Sequence, residues 1–302
     1  MGTSALAFFF ARRLAAGTGV PVGVICTGAA GAVIQELMPE ELASELGFKG
    51  GAVALQGGYY NTLMHPFVGL SVSGMIFFQG ESEAQNSGSA KKYPDHVNGY
   101  FTGMRQLFGY DFPVYNVQLC SYTKKSEAQF GFVRNIRVSQ YNAAKQIADC
   151  TLIPSFDLGP DEYYYDHMHS FKKDELARRI VSAVLFRQFN IGTENDSLPP
   201  EPVSAVLSED GETVTVKFKN VGEGLRSTSY KETVAGFSVG TAGKQNTAEA
   251  EIISADTVLV HVPAGSKTAM LAYAFENNVT RNSAQLQSSG KIPPNAFMIG
   301  VE

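Results

Sequence analysis

The 302-residue sequence has no tryptophan and only three cysteines, Cys26, Cys120 and Cys150. An odd number of thiols cannot all pair within one chain, and each lies inside an apolar run, so the three are read as buried free thiols. Positive charge is also scarce. Lysine and arginine number 24 against 29 acids, a formal net charge of −5, and no basic cluster stands out, so no nucleic-acid partner is expected. Long apolar runs are missing as well. None approaches the roughly 18 residues of a membrane-spanning helix, and the strongest, from Ala5 to Ala11, is interrupted by Arg12 and Arg13. No membrane partner is expected, and the chain reads as soluble. The first 35 residues contain no acid, yet in MGTSALAFFFARRL the positive charge follows the apolar stretch. A secretory signal has the reverse order. The segment therefore reads as a folded helix over 3–16, without an export signal.

What the chain does contain is apolar content, 44% of residues, enough for two domains with cores of their own. Through residue 190, extended and helical patterns alternate. Val22 to Thr27, Val72 to Phe78, Phe112 to Leu119 and Thr151 to Phe156 are short β-rich runs. Helical spacing covers the first helix, Ala32 to Leu46, Tyr93 to Phe108, Val133 to Asp149 and Lys172 to Phe189. Four strands apolar on both faces, each followed by a helix, imply an α/β domain with a parallel sheet covered by helices. Around SLPPEP, residues 197–202, the composition changes and reads as a linker. Beyond it Thr213 to Lys219 alternates strictly, and Val258 to Val262 and Met270 to Phe275 are further strands, as in a β-sandwich-like module. The expected division is 1–194 and 195–302.

In parallel sheets the chemistry lies beyond the carboxyl ends of strands. Three such places carry informative residues. CTGAAGA, after the first run, is a small-residue turn whose backbone amides can meet a developing negative charge, or simply a tight strand-to-helix turn. Gln79-Gly80-Glu81-Ser82-Glu83 sets an amide donor, a glycine and two carboxylates at one strand end, where Gln79 could donate to an oxyanion and Glu81 could hold neighbouring loops. The same stretch also reads as a plain polar loop. Asp166-His167-Met168-His169 precedes the last helix. An aspartate three residues before a histidine can accept its Nδ1 proton and leave Nε2 as a general base. A metal site on His167 and His169 would need a third ligand that the sequence does not place nearby; a solvated loop is the remaining reading. His65 reads as structural, held by a loop carbonyl.

Six stretches in order, FFARRL, PVGVICTGAAGAVIQELMPEEL, YYNTLMHPF, MIFFQGESEA, FPVYNVQL and DHMHSFKKDELARR, resemble the sialate O-acetylesterase family, carbohydrate esterases of the SGNH-hydrolase superfamily. The resemblance implies a flavodoxin-like three-layer parallel sheet followed by the β-sandwich-like tail. It implies hydrolysis of O-acetyl esters on sialic acid or a related sugar, with an acetylated sugar or glycan as partner and no metal or organic cofactor. By position, His169 is then the general base and Asp166 its orienting acid. The Gly31 amide and the Gln79 side chain line the oxyanion site, with Gly80 and Glu81 in the same substrate-binding loop. The family's setting implies an extracellular, periplasmic or lysosomal location.

Two departures accompany the resemblance. Where the family reads Trp-Gly-Gly-Thr this chain has Ala29-Ala30-Gly31-Ala32, and no segment reads as the Gly-Gln-Ser-Asn-like block that supplies the nucleophile. The nucleophile is unassigned, with Ser4, Ser73, Ser82 and Ser170 as the serines to weigh. That block ends the family's central first strand. The expected sheet is therefore incomplete, as in a fragment, a rearranged topology, or a fold in which another segment or chain fills the slot. The sequence leaves two functional readings, an ester hydrolase and a non-catalytic carbohydrate-binding or structural relative.

Overall fold

The structure, a computed structural model, describes residues 4–48, 57–122, 129–159, 169–229, 233–280 and 282–302. They fall into two compact units, one of residues 24–119 and 128–152, the other of residues 1–23, 120–127 and 153–302.

Helix α1 (Ala5–Thr18) opens the second of these units. Ser4 caps it by accepting the Ala7 N–H, and Gly19 closes it in the left-handed conformation. The expected strand at Val22 to Thr27 does not form. The run is irregular, Val24 and Ile25 are 42% and 44% exposed, and Cys26 is exposed too. A β-rich run becomes a strand only beside a hydrogen-bonding neighbour, and among the described residues none pairs with it. The reading of three buried thiols is corrected accordingly. None is in a disulfide, but Cys26 is exposed and Cys150 is only partly covered, leaving Cys120 as the buried one.

The unit of residues 24–119 and 128–152 holds α2 (Glu40–Glu45), β1 (Met75–Phe77), α3 (Ser87–Phe108), β2 (Val114–Val117), α4 (Val133–Ala144) and most of β3 (Cys150–Ile153). The sheet order is β1-β2-β3, with β1 parallel to β2 and Ile76 opposite Tyr115. Three parallel strands thus stand where four were expected. The helix expected from Ala32 to Leu46 is two pieces, a 3-10 turn at Ile34–Leu37 and α2, separated at Met38 and Pro39. Proline has no N–H to continue the first piece and favours the start of the second.

Helix α3 begins six residues before its expected start because Asn86 caps it, accepting from the N–H groups of Gly88 and Ser89. Pro94 lies inside this helix and cannot bond the Ala90 carbonyl. The Ser139 hydroxyl of α4 donates to that carbonyl instead, at 3.0 Å, so the vacancy is filled across the helix pair. At the other end of α3, buried Arg105 donates to the carbonyls of Phe112 and Ala148 and ties the entries to β2 and β3 together.

In the other unit α1 packs on α5 (Lys173–Phe189), and Arg13 holds Asp174 with two hydrogen bonds of 2.7 and 2.8 Å. A short helix, α6 (Glu194–Ser197), follows. The proline stretch read as a linker is buried over residues 197–200 and runs directly into a sheet. Then come β4 (Glu201–Leu207), β5 (Thr213–Lys219), β6 (Leu225–Ser227), β7 (Phe237–Thr241), β8 (Lys244–Thr247), β9 (Ala250–Ile252), β10 (Thr257–His261), β11 (Met270–Tyr273), β12 (Leu286–Ser288) and β13 (Phe297–Gly300). They form antiparallel sheets ordered β4-β5-β10-β9 and β13-β11-β7-β8, with β12 paired to β6. Alternate residues Val214, Val216 and Phe218 of β5 are buried while Lys217 and Lys219 face water. The Phe218 ring lies 6.2 Å from that of Phe297, so the two four-stranded sheets share a core. Each such apolar side chain contributes about 1.5–3 kcal/mol on burial.

Candidate active site

The chain leaves β1 through Phe78 into Gln79 and Gly80, then turns through a 3-10 segment at Glu83–Gln85. Gly80 has φ +131°, and a Cβ there would stand 3.0 Å from Ile136 and 3.2 Å from the Tyr93 hydroxyl. Only glycine fits without strain. The strand end is thereby pressed against α3 and α4, and the side chains beyond it face the turn that contains Gly31.

Three hydrogen bonds join this loop to that turn. Ser82 Oγ donates to the Gly31 carbonyl at 2.9 Å. Gln79 Nε2 donates to the Ala32 carbonyl at 3.3 Å, and Glu83 Oε1 accepts the Ile34 N–H at 2.7 Å. Gln79 is fixed from several sides. Its Nε2 also donates to Glu83 Oε2 at 2.6 Å. The Tyr93 hydroxyl lies 2.9 Å from its backbone carbonyl and 3.0 Å from its Oε1. Gln140 Nε2 reaches the same backbone carbonyl at 3.2 Å, while Gln140 Oε1 accepts the Leu119 N–H.

Gly31 is exposed, at φ +74°, and its N–H has no hydrogen-bond partner among the described residues. The space where a Cβ would stand is open, with nothing within 4 Å. Gln79 and Gly80 are buried, and Glu81 is half-buried. Both hydrogens of the Gln79 amide are already engaged, one on Glu83 and the other, more loosely, on Ala32.

Sequence reasoning gave the loop-holding role to Glu81. The carboxylate that joins Ile34 to Gln79 is Glu83, 5% exposed. Burial pushes its carboxyl up to about 6, against the opposing pull of the bonds from Ile34 and Gln79. The available signal was the spacing Gln79 to Glu83, which the turn beginning at Glu83 folds back into contact.

His169 belongs to the other unit. It is exposed, at a bend just before α5. The next residue, Ser170, is buried, and its Oγ accepts the Lys172 N–H. Helix α5 is anchored by Arg179, which donates to both oxygens of Asp157 and to the Pro154 carbonyl. Helix α5, which follows the His169 segment, is thus tied to residues 154–157. Asp166 and His167 lie outside the described residues. No cluster of three or more potential metal ligands occurs among the described residues.

Three of the four candidate serines, Ser4, Ser82 and Ser170, make hydrogen bonds that hold local structure. Ser4 caps α1, and Ser82 donates to Gly31. Ser73 is exposed just before β1, at its amino end and outside the strand. His65 meets the Tyr60 hydroxyl at 3.3 Å. A surface cavity of about 630 Å³ lies elsewhere, lined by Asn98, Thr102, Arg105 and Gln146 at the carboxyl end of α3.

The fold has a solved counterpart. A carbohydrate acetylesterase from Xanthomonas citri superposes with a TM-score of 0.82 at 24% sequence identity, over 98% of this chain and 65% of its own. The present chain therefore spans about two thirds of that relative's length. Among curated proteins no match is found. A family profile described as carbohydrate esterase, sialic acid-specific acetylesterase, matches residues 3–186. With the six ordered motifs, the parallel sheet and the joined turn and loop beside Gln79, that match makes the chain a member of the sialic acid-specific acetylesterase family of carbohydrate esterases.

Proposed function

We propose that the chain is a carbohydrate O-acetylesterase that removes acetyl groups from sialic acid or a related sugar by a serine-hydrolase mechanism. The observation that carries this reading is the pairing of the Gly31 turn with the Gln79 loop in a chain of this family. The N–H of exposed Gly31 and the fixed Gln79 amide are donors of the kind an acetyl oxyanion needs. In this mechanism His169 takes the proton of a nucleophilic hydroxyl, and Asp166 holds the histidine in the correct tautomer. The hydroxyl oxygen attacks the acetyl carbonyl, whose oxygen becomes negative against Gly31 and Gln79. Collapse expels the sugar oxygen, which takes the proton back from His169, and water then releases acetate by the same steps in reverse order. No serine is assigned as the nucleophile.

The reading includes a completing segment. β1 is the end strand of its sheet among the described residues, with Met75 and Ile76 only half-buried. A further strand, from this protein or another chain, pairing with that edge would cover them. The second reading is a carbohydrate-binding relative without turnover. Two features favour it: Ala29-Ala30-Gly31-Ala32 lacks the family's tryptophan and threonine, and both Gln79 amide hydrogens are engaged.

Acetate release from O-acetylated sialic acid, followed beside fluorophosphonate labelling and intact mass, separates the two. Hydrolysis with one stoichiometric adduct, both lost in His169→Ala, supports the esterase. Binding of the sugar by folded protein without acetate release or adduct would overturn it in favour of the binding relative.

A further inference from the structure

The donors proposed for the oxyanion are held by a carboxylate outside the assigned catalytic set. Glu83 Oε1 accepts the Ile34 N–H at 2.7 Å, and Oε2 accepts the Gln79 amide at 2.6 Å. An ionised carboxylate only accepts, so Gln79 must present its nitrogen to Glu83 and its oxygen to Tyr93, 3.0 Å away. The amide cannot flip without facing its own oxygen toward Oε2. An amide NH2 is planar, with its N–H bonds about 120° apart, so holding one sets the direction of the other. That second N–H rests on the Ala32 carbonyl at 3.3 Å, the longer of the two contacts and the one a ligand oxygen would displace. The Ile34 bond fixes the far end of the turn that begins at Gly31, and Ser82 fixes its near end.

We propose that Glu83 is a positioning residue for the esterase reaction: by holding Gln79 and Ile34 together it aims the second Gln79 N–H and the Gly31 turn at the acetyl oxyanion. The proposal rests on the esterase reading. It differs from the role given to Gln79 itself, because Glu83 is buried and acts through two other groups.

The test uses Glu83→Gln, which keeps the shape but can also donate, and Glu83→Ala, which removes the clamp. Two readouts are needed: hydrolysis of p-nitrophenyl acetate, and the 15N side-chain amide resonance of Gln79, assigned by its loss in Gln79→Glu. The expected result is a displaced Gln79 resonance in both variants. It is accompanied by a kcat about ten- to a hundredfold lower in Glu83→Ala, KM within about twofold of wild type, and partial recovery in Glu83→Gln. An unmoved Gln79 resonance in folded Glu83→Gln, or a displaced one with wild-type kcat in both variants, would overturn the proposal. A wild-type protein that hydrolyses no ester overturns the esterase reading instead, and the resonance then decides whether the clamp exists.

Discussion

Arg179 and Asp157 meet as a two-bonded ion pair, Nη1 to Oδ1 at 2.7 Å and Nη2 to Oδ2 at 2.6 Å, with only 4% of the arginine side chain exposed. Glu175 and the Pro154 carbonyl take further donors of the same guanidinium. Its charge is therefore compensated on three sides, and desolvation is outweighed by these partners, which raise its pKa. Removing one member strands the other away from water. Arg179→Ala or Asp157→Ala should cost about 3–5 kcal/mol, whereas a joint Arg179→Met, Asp157→Leu exchange should cost clearly less than the sum. Urea denaturation of the three variants measures this. A joint loss equal to the sum of the two single losses would show that the pair is not coupled.

Gly80 connects the sheet to the candidate site. Its φ of +131° is strained for any residue with a Cβ, and that atom would press on Ile136 and the Tyr93 hydroxyl. Gly80→Ala should therefore lower stability by about 1–3 kcal/mol. It should also disturb the Gln79 contacts made by Tyr93, since that hydroxyl would stand only 3.2 Å from the new methyl. The paired checks are thermal denaturation and the Gln79 side-chain amide resonance. A stable variant with an unchanged resonance would contradict the geometry.

How legible these features were depended on whether they are local. β5 spans Thr213–Lys219 as its strict alternation indicates, because one buried face is enough to fix such a strand. Val22 to Thr27 has as good a composition but no pairing neighbour among the described residues, so it is irregular. Propensity cannot supply the other side of a ladder. The early start of α3 was hidden by Gly88 and Pro94, both poor helix formers, although Asn86 is a sound capping residue. At the candidate site, motif and turn chemistry singled out the Gln79 loop and the Gly31 turn, which the structure joins by hydrogen bonds. Their fastening to Glu83 was not, because it joins positions 49 residues apart.

Pro94 and Ser139 form a compensating pair across α3 and α4. The proline cannot donate to the Ala90 carbonyl, and the Ser139 hydroxyl does so at 3.0 Å in a buried position. Ser139→Ala should leave that carbonyl unsatisfied at a cost of about 1–3 kcal/mol. In a Pro94→Ala background the backbone N–H returns to serve Ala90, and the same serine substitution should cost much less. A double-mutant cycle on chemical denaturation tests the coupling, and additive effects would refute it.

Glu83 should also set part of the pH dependence of stability. Its folded carboxyl titrates at about 6, above its ordinary 4.5, because burial outweighs the bonds from Ile34 and Gln79. The nearby half-buried Glu81 adds repulsion, and neutral Tyr93 faces the group from α3. A raised carboxyl pKa means that the folded state binds this proton more tightly than the unfolded state does. The stabilising contribution is therefore full below about 4.5, is lost as pH rises toward 6, and is constant above it. The change is worth about 2 kcal/mol. Other carboxylates oppose this slope, including Asp210 and Asp256, whose hydrogen bonds lower their pKa values. The difference between wild type and Glu83→Gln isolates the buried group. Plotted from pH 4 to 8, wild-type stability should fall relative to the variant by about 2 kcal/mol between pH 4.5 and 6. A flat difference would mean that Glu83 keeps its ordinary titration, and a rise would mean that its hydrogen bonds overcome burial.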